Sequence, residues 1–356
     1  TGSGKTVVGL IMLQSCLNEE KGPAIYVVPD NYLVKQVVDE AKRLGISVTE
    51  DRDDYNYSNS KAILVTSIQT VVNGYSYFGM RESGNYPIGS IIIDDVHACM
   101  DKIMCQFMIK IDAETDAYKE LIALFSSSLK DYNPKSYIDI VEMKDCRKNM
   151  LVPYWEWQRQ HDNIYRILKK YNNSDNKEIY FGLPLIERGL ETCDCIITAS
   201  AIEISPKGID LEKISSLEEA SRRIYMSATL ADDSVFVSAL GLAKEDMKNI
   251  ITPENANDIG DRLIIFPKYV NGDISEFDIR EKVEKISEIY NVVILVPSFS
   301  RAKFWDEKGL RTAKKDNIDR MVAALKRGKH VGKMIFVNRY DGIDLPGDAC
   351  RMLVID

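Results

Sequence analysis

The sequence predicts an α/β protein with two parallel-sheet domains in tandem, the first carrying a long, largely helical insertion. Three observations carry this. Short apolar runs alternate with amphipathic helical stretches. The alternation breaks for more than a hundred residues and then resumes. A turn-rich segment separates a second round of the same alternation from the first. Strand–helix alternation implies parallel strands joined by right-handed crossovers, and 356 residues are enough for two cores.

In chain order, Val7 to Leu17 reads as a helix whose apolar face holds Val8, Ile11, Met12 and Leu13. Ala24 to Val28 is a short apolar run closed by Pro29 and Asp30, as a buried parallel strand would be. Asn31 to Leu44 is helical, with Leu33, Val37, Val38 and Ala41 at spacings of three and four. Ala62 to Thr66 and Ser90 to Asp94 are further strands, and Arg223 to Met226 resumes the pattern. The residues between, about 103–220, form the insertion, with a polar patch at Asn172 to Lys177. The turn formers of Thr252 to Asp258 mark the boundary, giving domains 1–255 and 256–356. Beyond it, Leu263 to Phe266, Asn291 to Val296, Met334 to Val337 and Met352 to Ile355 read as strands.

Lys plus Arg number 46 and Asp plus Glu 54, a net charge of −8. That excludes a surface basic throughout and leaves room for a local basic groove. No apolar run nears the ~18 residues that span a bilayer, and no signal peptide is read. The expectation is therefore a cytoplasmic protein with no membrane partner. Seven irregularly spaced cysteines fit a reducing setting. Cys193 and Cys195 are the only close pair, and a metal site there lacks two further ligands, so structural use is expected.

Thr1-Gly2-Ser3-Gly4-Lys5-Thr6 is the end of a Gly-x-x-x-x-Gly-Lys-Thr phosphate loop, directly ahead of an amphipathic helix. Backbone N–H groups of such a turn converge on anionic oxygens, and the helix dipole adds positive potential. Lys5 reaches the outer phosphates, and the Thr6 hydroxyl ligates Mg²⁺. The sequence opens inside this motif and closes on an uncapped apolar run at Asp356, so it is expected to be the middle of a longer protein. Asp94-Asp95-Val96-His97 follows the Ile91–Ile93 strand. A carboxylate at that strand end holds the metal and an acidic neighbour orients the attacking water, roles that fall to Asp94 and Asp95. Alone the pair reads as a helix cap; about ninety residues after a phosphate loop it reads as nucleotide chemistry. His97 alone reads as structural, and in this tetrad as a coupling residue. Ser227-Ala228-Thr229 alone reads as a cap.

These motifs, in this order, resemble motifs I, II and III of the superfamily 2 helicases, and Tyr340 to Gly347 resembles motif V. Val28-Pro29-Asp30 with Leu33 and Gln36 is similar to motif Ia, Val65-Thr66-Ser67 to motif Ib, and Val296-Pro297-Ser298-Phe299 to motif IV. The resemblance implies two RecA-like domains with ATP and Mg²⁺ between them. Gly2, Ser3, Gly4, Lys5 and Thr6 would hold the nucleotide with Asp94 and His97, and Gly342 and Asp344 would close on it from the second domain. Thr6 and Asp94 would take the metal, and Lys5 and Asp95 would be catalytic. Ser227 and Thr229 would couple nucleotide state to strand binding. Pro29, Thr66, Ser67 and Ser298 would touch the sugar–phosphate backbone of one strand, DNA in preference to RNA.

The sequence departs from that pattern at Asp95, where Glu is usual, and at Asp341, where many relatives have Arg. The arginine-bearing motif VI is expected beyond Asp356. The run from Asp94 to Cys99, the insertion and the motif V segment also resemble bacterial phage-defence helicases of the Hachiman type, which implies a nuclease subunit as partner. The insertion is similar in position to the arch of the damage-repair helicases, but only Cys16 lies where their iron–sulphur cysteines would be. Trp155 and Trp157, with Tyr154 and Tyr165, read either as the core of the insertion or as base-stacking aromatics. Lys326, Arg327, Lys329, His330 and Lys333 read either as a phosphate patch or as a solvated helix end. An ATP-dependent helicase or translocase is the first functional reading. An ATP-binding, DNA-sensing switch on a partner nuclease is the second, and a phosphate-loop NTPase without nucleic acid the third.

Overall fold

The computed structural model describes residues 4–80, 85–209, 211–227, 240, 245, 250–251, 263–314, 317–338, 343 and 345–356. The chain divides into two compact units, Gly4–Ile251 and Thr252–Asp356.

The first unit is built on a parallel sheet of five strands, ordered β2-β3-β1-β4-β9. These are β1 (Ala24–Val28), β2 (Val48–Thr49), β3 (Ile63–Ser67), β4 (Ser90–Ile93) and β9 (Arg222–Tyr225). Ala24 lies opposite both Ile63 and Ser90, and Ser90 opposite Arg222, so the strands end level with one another. β1 and β3 are buried at every position, the continuous apolar pattern of a sheet covered on both faces. Alternation of side chains divides each strand between two cores. Tyr26, Val28, Val65 and Ile92 face α1 (Lys5–Asn18) and α2 (Asn31–Leu44). Ile25, Val27, Ile91 and Ile93 face the opposite layer. The Asp30 carboxylate caps α2 by accepting from the N–H groups of Tyr32 (2.9 Å) and Leu33 (3.2 Å). Gly45 ends it at φ 70°.

On α1 the sheet takes only part of the expected face, Leu13 and Met12 but not Val8 or Ile11. Leu10, Leu13 and Leu17 are buried, whereas Val8 and Ile11 are more than half exposed. This helix is apolar nearly all round, so spacing alone does not fix its orientation.

The insertion is helical for the most part, as expected. It also contains a four-stranded antiparallel sheet that the sequence pattern did not foretell, ordered β5-β8-β7-β6. Its strands are β5 (Ile109–Asp112), β6 (Asn149–Leu151), β7 (Asp194–Thr198) and β8 (Ala201–Ser205). The insertion shares one hydrophobic core with the second face of the parallel sheet, so it is packed onto that sheet rather than appended to it. Gly74 and the insertion helix Lys177–Ile186 meet backbone to backbone. The Gly74 N–H donates to the Phe181 carbonyl at 2.9 Å, and a β-carbon at Gly74 would lie 2.3 Å from that oxygen.

The second unit has a parallel sheet ordered β11-β10-β12, made of β10 (Val292–Val296), β11 (Lys333–Val337) and β12 (Met352–Ile355). Leu263 to Phe266, expected as a strand, is not one. It carries no strand pairing, and its four side chains are exposed. Four apolar residues are compatible with a strand but do not supply the partner that makes one.

Candidate functional site

The C-terminal ends of β1, β3, β4 and β9 lie along one edge of the first sheet, the edge at which open α/β sheets place their ligands. α1 starts there, its first residue preceded by Gly4 in the left-handed region at φ 72°. It lies close against the sheet because residue 9 is glycine. A β-carbon at Gly9 would stand 2.8 Å from both the Tyr26 ring and the Met226 methyl.

That approach brings the first turns of α1 against the phenol of Tyr26, whose oxygen would lie 3.3 Å from the same β-carbon. The phenol also donates to Asp94 Oδ2 at 2.8 Å. Tyr26 is fully buried. Burial, reinforced by the Asp94 carboxylate, drives its pKa far above the ordinary phenol value, so it remains a proton donor. Asp94 is anchored twice more: its N–H donates to the Val27 carbonyl (2.9 Å), and its Oδ1 accepts the Asp95 N–H (2.9 Å). The Cys99 thiol donates to the Asp94 carbonyl at 3.3 Å and is held protonated by burial, with Asp95, Asp94 and Asp30 adding to the effect. Sequence reasoning missed Tyr26 and Cys99. The signal for Tyr26 was one polar atom in an otherwise aliphatic strand, because a buried tyrosine hydroxyl requires a partner.

Asp95 sits at φ 49°, ψ 59°, left-handed without being glycine, and starts the helix Val96–Gln106. This conformation costs an ordinary residue roughly 1–2 kcal/mol, less for Asp. The next residue joins the neighbouring strand: the Val96 N–H donates to the Met226 carbonyl (3.0 Å), and the Met226 N–H to Ile93 (2.9 Å). One residue further, His97 Nδ1 lies 2.9 Å from Ser227 Oγ. The acidic tetrad and the residues after β9 are thus linked by backbone and side chain together.

Other expected residues are placed differently. Pro29, Thr66 and Ser67 are on the same edge but buried, and Ser67 Oγ is paired with Thr70 Oγ1 at 3.2 Å. Ser298, in the second unit, is exposed and caps the helix Phe299–Trp305 by accepting the Arg301 N–H (3.1 Å). Gly2, Ser3, Thr229, Gly342 and Asp344 lie outside the described residues.

The secondary candidates divide as well. Trp157 is core, its indole donating to the Leu190 carbonyl at 2.7 Å. Trp155 is half exposed, edge-on to Tyr132 and Tyr154, beside a concavity of about 500 Å³. In the basic cluster, His330 Nε2 pairs with the Ser287 carbonyl (2.8 Å), and Lys333 pairs with Glu284 and the Trp305 carbonyl. Lys333 begins β11, so this cluster is at the opposite end of the sheet from Ser298, which follows β10. Cys193 and Cys195 are buried. Among the described residues no group of three His, Cys, Asp or Glu could hold a metal, and no helix is long and apolar enough to cross a membrane.

Residues 1–132 match the protein family described as "Type III restriction enzyme, res subunit". A solved structure described as "XPD_APO" is similar over 100% of this chain and 78% of its own, at 16% identity and a TM-score of 0.53. The Xpd4 structure from S. tokodaii is similar over 99% of this chain and 74% of its own, at 15% identity and a TM-score of 0.48. No curated protein matches. The fold is the mixed α/β, RecA-like fold of the XPD helicase structure. The family match covers the part of the chain that holds the phosphate loop and the Asp94–His97 tetrad.

Proposed function

We propose that this chain is the motor part of an ATP-dependent helicase or translocase that moves along a single strand, DNA in preference to RNA. The observation that carries the reading is the convergence, at the ligand-binding edge of the sheet, of the start of α1 at Lys5, packed on Tyr26 through Gly9, with Asp94, which is hydrogen-bonded to the same phenol from a motif about ninety residues away. The Thr6 hydroxyl and the Asp94 carboxylate are the hard oxygen donors that suit Mg²⁺ with a triphosphate. Bound there, Mg²⁺ would neutralise charge on the phosphates.

In this reading Gly2, Ser3, Gly4 and Lys5 cradle the phosphates, and Asp95 positions water. His97, with Ser227 and Thr229, transmits nucleotide state to β9. Gly342 and Asp344 contribute to the nucleotide from the second unit. Because Pro29, Thr66 and Ser67 are buried, backbone groups on their edge would meet the strand, with Ser298 contributing from the second unit.

The resemblance to phage-defence helicases extends the proposal to a nuclease subunit as partner, which co-purification from the native operon would test. The switch reading has one observation in its favour: Asp95 is a methylene shorter than glutamate and is held left-handed. A strand-displacement assay beside a nucleic-acid-stimulated ATPase assay separates the two. A motor gives both signals, a switch gives stimulated turnover without displacement, and absence of both on DNA and RNA rejects the proposal.

A further inference from the structure

We infer that the outer edge of β6 and the hollow beside it form a docking site for an extended segment of a partner protein that carries an arginine. β6 is an edge strand of the insertion's sheet. In its antiparallel ladder with β7, hydrogen-bonded and non-bonded residue pairs alternate. The Val152 N–H donates to the Cys195 carbonyl (2.8 Å), so Val152 and Met150 are the residues that bond to β7. The N–H and carbonyl groups of Asn149 and Leu151 then point the other way, out of the sheet. A concavity of about 420 Å³ runs along that edge, lined by every residue from Asn149 to Trp155. Outward backbone groups beside an open hollow are what an extended chain pairs with when it adds a strand.

The walls indicate the side chain. Tyr132 and Trp155 line this concavity and also the neighbouring one of about 500 Å³, which the helices Asp116–Tyr132 and Tyr154–Arg159 flank. Their exposed rings are inclined at 80° with centroids 5.5 Å apart. A flat cation laid in that corner meets a π face. Asp131 lines the same hollow and forms no ion pair with any described residue. Arg159, the cation already there, is engaged by the Glu156 carboxylate and by Ser128 Oγ, the latter at 2.9 Å. One carboxylate is left unbalanced, which suits a positive charge and repels phosphate. A guanidinium meets both features, since it stacks on aromatic rings and pairs with a carboxylate through a planar fork.

The test is fluorescence anisotropy on the full chain with a labelled peptide, Thr-Val-Arg-Val-Thr, beside the same peptide with citrulline, which keeps the shape and loses the charge. Saturable binding of the arginine peptide is expected, about tenfold tighter than that of the citrulline peptide. Asp131→Asn should weaken the arginine peptide about threefold and leave the citrulline peptide within about twofold. Trp155→Ala should weaken the arginine peptide about fivefold. N-methylating alternate amides of the peptide should abolish binding for one set and spare it for the other, because a strand edge uses every second N–H. Both substituted residues are exposed, and Asp131→Asn keeps the side chain's shape, so the arginine–citrulline comparison decides even where Trp155→Ala fails to fold. Equal affinity for the two peptides, no saturable peptide binding, or equal losses from both methylated sets would overturn the inference. A labelled oligodeoxythymidine whose binding falls in Trp155→Ala, with no peptide bound, would assign the rings to nucleic acid and overturn it too. So would self-association of wild type in sedimentation that Trp155→Ala abolishes, since the occupant would then be a second copy.

Discussion

His97 and Ser227 are 130 positions apart in the sequence and 2.9 Å apart in space. Their contact gives the coupling role a specific residue pair to test. A double-mutant cycle with His97→Ala and Ser227→Ala should return an interaction of about 0.5–1.5 kcal/mol in urea unfolding. Additive losses would mean that the contact carries no free energy. The tetrad and Ser227, which this contact joins, stood out in the sequence by residue type and order. Tyr26 did not, since its role depends on which strand lies beside which, and that is decided by the sheet. Thr66 and Ser67 show the converse: their positions at the strand end were readable, but their burial was not.

Helix α1 illustrates the same limit for an element. Gly9→Ala should favour the isolated helix by about 0.5–1 kcal/mol. In the protein its β-carbon would stand 2.8 Å from a ring held by its hydrogen bond to Asp94 and from a flexible methionine methyl. Overpacking of this kind costs about 1–3 kcal/mol, so net destabilisation is expected in thermal unfolding. A more stable Gly9→Ala would show that α1 is not tightly seated. Asp306 makes an element-scale prediction for the second unit. Burial acts to raise its carboxyl, but hydrogen bonds from the Arg311 N–H (2.7 Å) and the Thr312 hydroxyl (2.9 Å) outweigh it and leave the pKa below the ordinary value. A lowered folded-state pKa gives stability that is present above the unfolded value, about 3.9, and lost as pH falls below it. Asp306→Asn should therefore show a smaller drop in melting temperature between about pH 6 and pH 3 than wild type. Equal drops would contradict this. The insertion's sheet left a signal in hindsight: β5 alternates buried and exposed residues over Ile109–Asp112, and only Ala199 and Ser200 separate β7 from β8. Helical spacing around it masked that pattern.

At the scale of the molecule, the parallel sheet of the first unit was readable because its central strands are buried apolar runs with helices beside them. Leu263 to Phe266 was misread for a related reason: a strand exists only with a partner, and composition does not name one. The motor proposal adds a requirement of its own, namely that nucleotide and strand affinities depend on each other. Reciprocal coupling of this type is typically on the order of fivefold or more. The direct measurement is the affinity for labelled single-stranded DNA, with and without Mg²⁺ and a non-hydrolysed ATP analogue, in wild type and Asp94→Asn. The account predicts a change of at least about fivefold in wild type that is lost in Asp94→Asn. Equal affinities in wild type under both conditions, for DNA and for RNA, would contradict it.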